Sequence, residues 1–194
     1  MHLFYQYAIT GLWLVWLVYW GVAAIGTKAI GRRESVASGV LHIVPLAVGA
    51  ALLASPHVAS EWLAARFLAR SVTWFWTGFV LVALGLGFAI TARAWLGGNW
   101  SSTVTLKQDH ELITTGPYRW VRHPIYTGLL VALVGSAIAL GEWRGPVGVA
   151  LITVAFLYKI AVEERFLTQQ FGNNYRRFRA QVPALIPRPW RGPR

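Results

Sequence analysis

The sequence predicts an all-α integral membrane protein that forms a single domain over residues 1–194. Hydrophobic residues make up 56% of the chain and charged residues only 13%, about half the charged fraction of a soluble domain. The 11 Trp and seven Tyr suit the aromatic belts that form at both membrane interfaces. Apolar runs predict about five transmembrane helices, at residues 8–25, 36–54, 72–91, 125–140 and 147–161.

The last two apolar runs predict a short helical hairpin. They hold 16 and 15 residues, so each helix would extend only about 24 Å. The hydrocarbon core of a bilayer is about 30 Å thick, so this hairpin would dip into the membrane or span a thinned region. In both cases a hairpin returns the chain to the side on which it started.

The distribution of charge predicts how the chain is oriented. A net charge of +11 suggests nucleic acid in a soluble protein, but here Lys and Arg stand in short loops between apolar runs. We therefore expect membrane lipids as partners and no nucleic acid. Lys28, Arg32 and Arg33 place the first loop in the cytoplasm and the N-terminus outside. Three spans then bring residues 93–124 to the cytoplasmic side, and the hairpin returns residues 162–194, with seven Arg, to the same side.

The chain contains no Cys, which limits the chemistry available to it. Disulfides, a thiolate nucleophile and a zinc site built on Cys are all excluded. We predict no metal site.

Two polar clusters should face each other at the cytoplasmic boundary. One is the stretch HELITTGPYRWVRHPIYTG from His110 to Gly128, which precedes and enters the fourth run. The other is Lys159, Glu163 and Glu164 at the end of the fifth run, with Lys159 and Glu163 four residues apart on one helical face. Ionisable groups at membrane depth indicate a functional site. The alternative interpretation is an aromatic and basic interface belt with an ordinary surface ion pair.

The segment after the fifth run, FLTQQFGNNYRRFRAQVPALIP, alternates aromatic residues with Arg. One interpretation is a basic amphipathic tail that lies on anionic lipid. The other is a lid that closes over the site, because Gly172 allows the chain to turn and Pro183 and Pro187 keep the following stretch extended.

These residues carry a resemblance to a known family. GPYRWVRHPIYTG, then EERFL about 35 residues later, then FGNNYRRFRAQVPALIP, resemble the isoprenylcysteine carboxyl methyltransferases and the related phospholipid N-methyltransferases. The resemblance covers roughly residues 93–188, and a short prokaryotic member in the inner (cell) membrane is the nearest type. Gly85 and Gly87 resemble the G-x-G that the phospholipid branch carries in a membrane helix.

The resemblance implies an S-adenosylmethionine-dependent membrane methyltransferase. Its cofactor would be enclosed near the cytosolic boundary between the hairpin helices and the C-terminal segment, and a lipophilic acceptor would enter from the bilayer. Thr105 falls near a further family contact, but its spacing differs by two residues. Carried over by position, the cofactor contacts would be His110, Glu111, Leu112, Ile113, Tyr118, His123, Pro124, Ile125, Tyr126 and Glu163, with Glu164 completing the Glu pair.

The catalytic candidates are Lys159 and Arg122. The eukaryotic carboxyl methyltransferases carry an Arg, placed for the substrate carboxylate, where this chain has Lys159, which keeps the charge but lacks the planar bidentate fork. Methyl transfer to a carboxylate needs alignment and exclusion of water rather than a strong base, so these cations would position the acceptor. An amine or thiol acceptor would instead require a base, for which His123 or a Glu is a candidate.

Two other functions are open from the sequence. Membrane sterol reductases share an R-H-P-x-Y-like segment and a similar tail and use NADPH, whose 2′-phosphate the tail Arg residues would suit. A non-enzymatic membrane scaffold with a degenerate site is the other. The sequence does not name the acceptor or determine the oligomeric state.

Overall fold

A computed structural model describes residues 2–25, 36–97 and 112–188. The described chain is built from α-helices, which confirms the predicted fold class. Short 3₁₀ helices follow α2 at Pro56–Val58 and precede α5 at Gly116–Arg119. The α-helices are α1 His2–Ala24, α2 Val36–Ala54, α3 Glu61–Ala64, α4 Val72–Leu96, α5 Pro124–Leu140, α6 Arg144–Phe171 and α7 Asn173–Gln181.

Four of the predicted spans lie close to observed helices. The second run coincides with α2, and the fourth begins one residue later than α5. Helix α1 begins six residues earlier than the first run. Helix α4 continues five residues beyond the third run to Leu96, because residues 92–96 contain no helix breaker before Gly97.

Helix α6, at the fifth apolar run, corrects the prediction that the second helix of the hairpin is short. Helix α6 spans 28 residues, about 42 Å, rather than the predicted 15. Pro146 lies in its first turn, where proline is tolerated, and the helix ends only at Gly172, where φ is 53°. Polar residues end the apolar pattern near Ala161 but still favour helix. Helices α1, α4 and α6 are each long and apolar enough to cross a membrane, whereas α5 is a shorter apolar helix.

The apolar helices alternate in direction, so one end of the bundle collects the predicted site segments. The Arg93 guanidinium near the end of α4 donates to the carbonyl of Ala23 near the end of α1, over 2.5 Å. Helices α1 and α4 therefore end at the same end of the bundle. At the opposite end, Arg144 at the start of α6 donates to the carbonyl of Leu52 near the end of α2.

The opposite end is closed by ion pairs. Arg144 donates to Glu142 over 2.6 Å, and the Arg66 guanidinium lies 3.8 Å from the same carboxylate. Phe67 and Leu68 also donate backbone hydrogen bonds to the carbonyl of Gly141. Arg66, a basic residue between α3 and α4, thus has a local acidic partner.

Small residues set the distance between the helices. A Cβ atom built on Gly85 of α4 would lie 2.5 Å from backbone atoms of both Gly128 and Ala132 on α5. Gly49 of α2 and Gly148 of α6 meet in the same way. Close backbone approach at small residues is how membrane helices associate. Gly87, by contrast, faces open space, so within the G-x-G only Gly85 is a packing residue.

We expect Gly85→Ala to destabilise the fold while Gly87→Ala does not. The first methyl group overlaps backbone atoms and forces α4 and α5 apart, which costs about 1–3 kcal/mol. The second meets nothing within 4 Å and gains up to about 1 kcal/mol of helix propensity. Thermal unfolding of the two variants in detergent measures the difference. Equal melting temperatures would contradict this packing interface.

Candidate active site

The polar segment before α5 docks onto the end of α4. Gly116 has a φ of 58° and lies against the Trp95 ring, so any side chain at this position would overlap the ring. The Trp95 indole donates to the Thr115 hydroxyl over 3.2 Å. Tyr118 is buried, with its hydroxyl 3.4 Å from the carbonyl of Ala92, and this burial raises its pKa. The 3₁₀ helix that precedes α5 therefore packs against the end of α4.

Glu163 of α6 faces the first turn of α5. Its carboxylate accepts a hydrogen bond from the Tyr126 hydroxyl over 2.6 Å. The Nδ1 atom of His123 lies 3.6 Å from its other oxygen. The Tyr126 ring packs on Phe156, with centroids 4.9 Å apart. The Glu163 side chain is 23% exposed, so this carboxylate stays accessible at the end of the bundle.

Glu164 is the more deeply buried of the two carboxylates, with a side chain 7% exposed. Its Oε1 atom accepts from Arg122, with contacts of 2.8 and 2.6 Å to Nε and Nη2. The same oxygen lies 3.3 Å from Nε2 of His123. Its Oε2 atom lies 3.2 Å from Nε of Arg179 on α7. The His123 ring therefore stands between the two carboxylates, one at each ring nitrogen.

Arg122 joins this pair to the C-terminal segment, which we define as residues 182–185. Its Nη1 atom donates to the carbonyls of Arg179 and Val182. The backbone N–H groups of Arg122 and His123 donate to the carbonyls of Pro183 and Ala184, over 2.8 and 3.0 Å. The extended C-terminal segment thus lies along the residues that begin α5.

The structure brings together Arg122, His123, Tyr126, Glu163 and Glu164. Pro124 is buried as the first residue of α5, and Ile125 is half-buried against the core. Leu112 and Ile113 are half-buried residues ahead of the 3₁₀ helix, and Lys159 lies half-buried one turn before Glu163 on α6. His110, Glu111 and Thr105 lie outside the described residues, so their predicted contacts stay predictions.

Sequence reasoning missed helix α7 and two residues of this network. Arg179, in the run RRFR, lies against Glu164, and the Thr127 hydroxyl donates to the carbonyl of Leu185 over 2.8 Å. Tyr175 of α7 is only 1% exposed, and burial raises its pKa. Spacing offers one signal: Tyr175 and Phe178 are three residues apart, as expected for one buried helical face.

The fold and this site define a class of helical membrane protein in which a carboxylate pair on one long helix meets an Arg-His-Pro turn at the start of another. The chain belongs to the phospholipid methyltransferase family, whose model matches residues 73–174. That range contains both arms of the site.

Individual relatives agree with this assignment. Protein-S-isoprenylcysteine O-methyltransferase of Schizosaccharomyces pombe is 33% identical over 109 residues, which cover 55% of this chain and 46% of the relative. The probable protein-S-isoprenylcysteine O-methyltransferase of Oryza sativa subsp. indica is 29% identical over 162 residues, covering 81% and 83%. The chain thus spans less than half of the yeast relative but most of the rice one.

A solved structure also matches. It is the eukaryotic intramembrane Ras methyltransferase isoprenylcysteine carboxyl methyltransferase, with a TM-score of 0.50 and 28% sequence identity. The match covers 78% of this chain and 50% of that one. The predicted resemblance to this family is confirmed, and the reductase and scaffold alternatives gain no support from these matches.

Proposed function

We propose that this protein transfers a methyl group from S-adenosylmethionine to a lipophilic acceptor with an isoprenylcysteine-like carboxylate. One observation carries the proposal: the two arms that define the family resemblance, more than 35 residues apart in sequence, meet side chain to side chain. The Tyr126 hydroxyl reaches Glu163 over 2.6 Å, and His123 lies between Glu163 and Glu164.

The residues at this end fit such a cofactor. S-adenosylmethionine supplies a methyl group on a positively charged sulfur, together with an ammonium group, ribose hydroxyls and an adenine ring. Glu163 is a partly exposed carboxylate that can accept hydrogen bonds from an ammonium or a hydroxyl group. The adenine ring would suit half-buried apolar side chains, which are those of Leu112, Ile113, Ile125 and Tyr126. His110 and Glu111 stay in the proposal on the resemblance alone.

Lys159 is proposed to hold the acceptor carboxylate. It lies one helical turn before Glu163, on the same face of α6 and towards the membrane interior. A carboxylate acceptor is already nucleophilic, so the protein has to align it and keep water out rather than remove a proton. The C-terminal segment, hydrogen-bonded to the start of α5, would help to keep water out. A thiol or amine acceptor is the second candidate and would use His123 or a Glu as base.

We further propose that the site lies at the cytoplasmic boundary, with the N-terminus outside. Helices α1 and α4 end together near Arg93, and Lys28, Arg32 and Arg33 follow the end of α1 in the sequence. The chain beyond Glu164 holds seven Arg and no acidic residue. Positive charge in chain segments next to the site end supports a cytoplasmic position for the site.

Cofactor titration tests the proposed function. We expect the purified protein in detergent to bind S-adenosylhomocysteine saturably and to show no binding of NADPH, because the partly exposed Glu163 carboxylate suits an ammonium or hydroxyl group and repels phosphates. Isothermal calorimetry with both ligands in parallel measures this, with circular dichroism to show that the preparation is folded. Binding of NADPH alone would overturn the assignment in favour of a reductase.

A further inference from the structure

The two neighbouring carboxylates of α6 have different surroundings. Glu164 uses both of its oxygens on the protein itself: Arg122 and His123 at Oε1, and Arg179 at Oε2. Glu163 contacts Tyr126 and the edge of His123, and its side chain is about three times more exposed, 23% against 7%. A carboxylate whose oxygens are already occupied by a buried guanidinium is poorly placed to receive a ligand.

Arg122 extends the Glu164 network towards the end of the chain. Its side chain is 9% exposed, and all three guanidinium nitrogens donate to protein acceptors. Two of them reach Glu164, and the third reaches the carbonyls of Arg179 and Val182. Arg122 therefore links α6, the end of α7 and the C-terminal segment.

The C-terminal segment depends on these bonds because it has no helix of its own. Helix α7 ends at Gln181, and the carbonyls of Val182, Pro183, Ala184 and Leu185 all accept from Arg122, His123 or Thr127. Pro183 has no N–H to offer in return. The backbone carbonyls of this segment thus attach it to the start of α5.

We propose that Glu164 is a positioning residue that does not contact the cofactor: it holds Arg122, which fastens the C-terminal segment along the start of α5, and Arg179, which anchors the end of α7 that leads into this segment. A buried guanidinium needs a partner charge, and removing that partner leaves a costly uncompensated cation. Arg122 would then turn towards water and release the carbonyls that it holds. The attachment of the C-terminal segment to α5 does not depend on the methyltransferase activity proposed above. The effect on cofactor affinity given below does rest on that activity.

Hydrogen exchange of the ligand-free protein tests the fastening directly. The amides of Arg122 and His123 donate to Pro183 and Ala184, so they report whether the segment is in place. We expect Glu164→Gln to speed exchange at these two amides by about tenfold. The matched control, Glu163→Gln, should leave both amides at the wild-type rate. The Glu163 carboxylate contacts the side chains of Tyr126 and His123, and not the C-terminal segment or Arg122. Mass spectrometry of a peptide spanning residues 118–126 measures both.

A milder variant guards against a general loss of folding. The Arg179 side chain is 59% exposed, and its Nε atom lies 3.2 Å from one oxygen of Glu164. The Arg179→Gln variant should therefore fold normally. We expect it to speed exchange at the same amides by about threefold. Wild-type exchange rates in both Arg179→Gln and a folded Glu164→Gln would overturn the proposal.

Ligand titration then separates positioning from contact. We expect Glu164→Gln and Arg122→Gln each to weaken S-adenosylhomocysteine binding about tenfold, and the double variant to weaken it no further, since both act through the same segment. Complete loss of binding in Glu164→Gln, with wild-type exchange at Arg122 and His123, would show that Glu164 contacts the ligand directly. If the wild-type protein bound no S-adenosylhomocysteine, the proposed function would fail while the exchange result still decided the fastening.

Discussion

Replacement of Glu163 by glutamine should weaken S-adenosylhomocysteine binding by about a hundredfold, or about 2.7 kcal/mol. Glutamine has the same shape and can still accept the Tyr126 hydrogen bond, so the change removes a charge and little else. Hydrogen bonds to a charged group contribute about 1.5–3 kcal/mol, and this carboxylate is the accessible one of the pair. Calorimetric titration of the folded variant in detergent gives the change in Kd.

The control for this variant is Glu61→Gln. Glu61 is an exposed acidic residue at the start of α3, at the end of the bundle that lies away from the site. It changes the net charge by the same amount, so it isolates position from charge, and its affinity should match that of the wild type. If Glu163→Gln bound the ligand as tightly as Glu61→Gln does, Glu163 would not be a cofactor contact.

Replacement of Lys159 by alanine should lower turnover by about a hundredfold and leave the S-adenosylhomocysteine affinity within about threefold of wild type. The loss follows from the missing cation that aligns the acceptor carboxylate, since correct alignment of reacting groups supplies several kcal/mol of the rate. Transfer of labelled methyl groups to an N-blocked S-farnesylcysteine measures kcat, and calorimetry measures Kd on the same preparation.

Lys159→Arg provides the comparison for the alanine variant. It restores the positive charge and adds the planar fork that suits a carboxylate, so most or all of the wild-type turnover should remain. Parallel losses of turnover and cofactor affinity in Lys159→Ala would instead assign Lys159 to the cofactor site. Low turnover in both variants would show that positive charge at position 159 is not what aligns the acceptor.

The positions of the membrane helices followed from the sequence because apolar run length is a direct consequence of bilayer thickness. The second run matches α2 residue for residue, and the fourth matches α5 within one residue. The prediction was wrong for α6 because it equated the end of the apolar pattern with the end of the helix. Helix α6 continues through Glu163 and Glu164 to Phe171, and both carboxylates have protein partners.

Helix α7 was beyond the reach of the same reasoning. Its nine residues, NNYRRFRAQ, are too few to be stable as an isolated helix and bury only Tyr175 and Phe178. This stretch is helical because α6 offers a surface on which α7 packs. The sequence predicted an amphipathic tail or lid, and the structure places a helix followed by an extended segment there.

The sequence by itself determined the fold class, the family and the meeting of the RHPxY and EE segments, since the order of apolar runs forces both segments to one end of the bundle. The tertiary structure alone decided which carboxylate faces which partner. Glu163 and Glu164 are adjacent, and successive residues point about 100° apart around a helix, so only the packing of α5, α7 and the C-terminal segment can bury one and leave the other accessible. The same packing turned Arg122 towards Glu164 and the C-terminal carbonyls. These are contacts between residues more than 40 positions apart, and local sequence patterns carry no information about them.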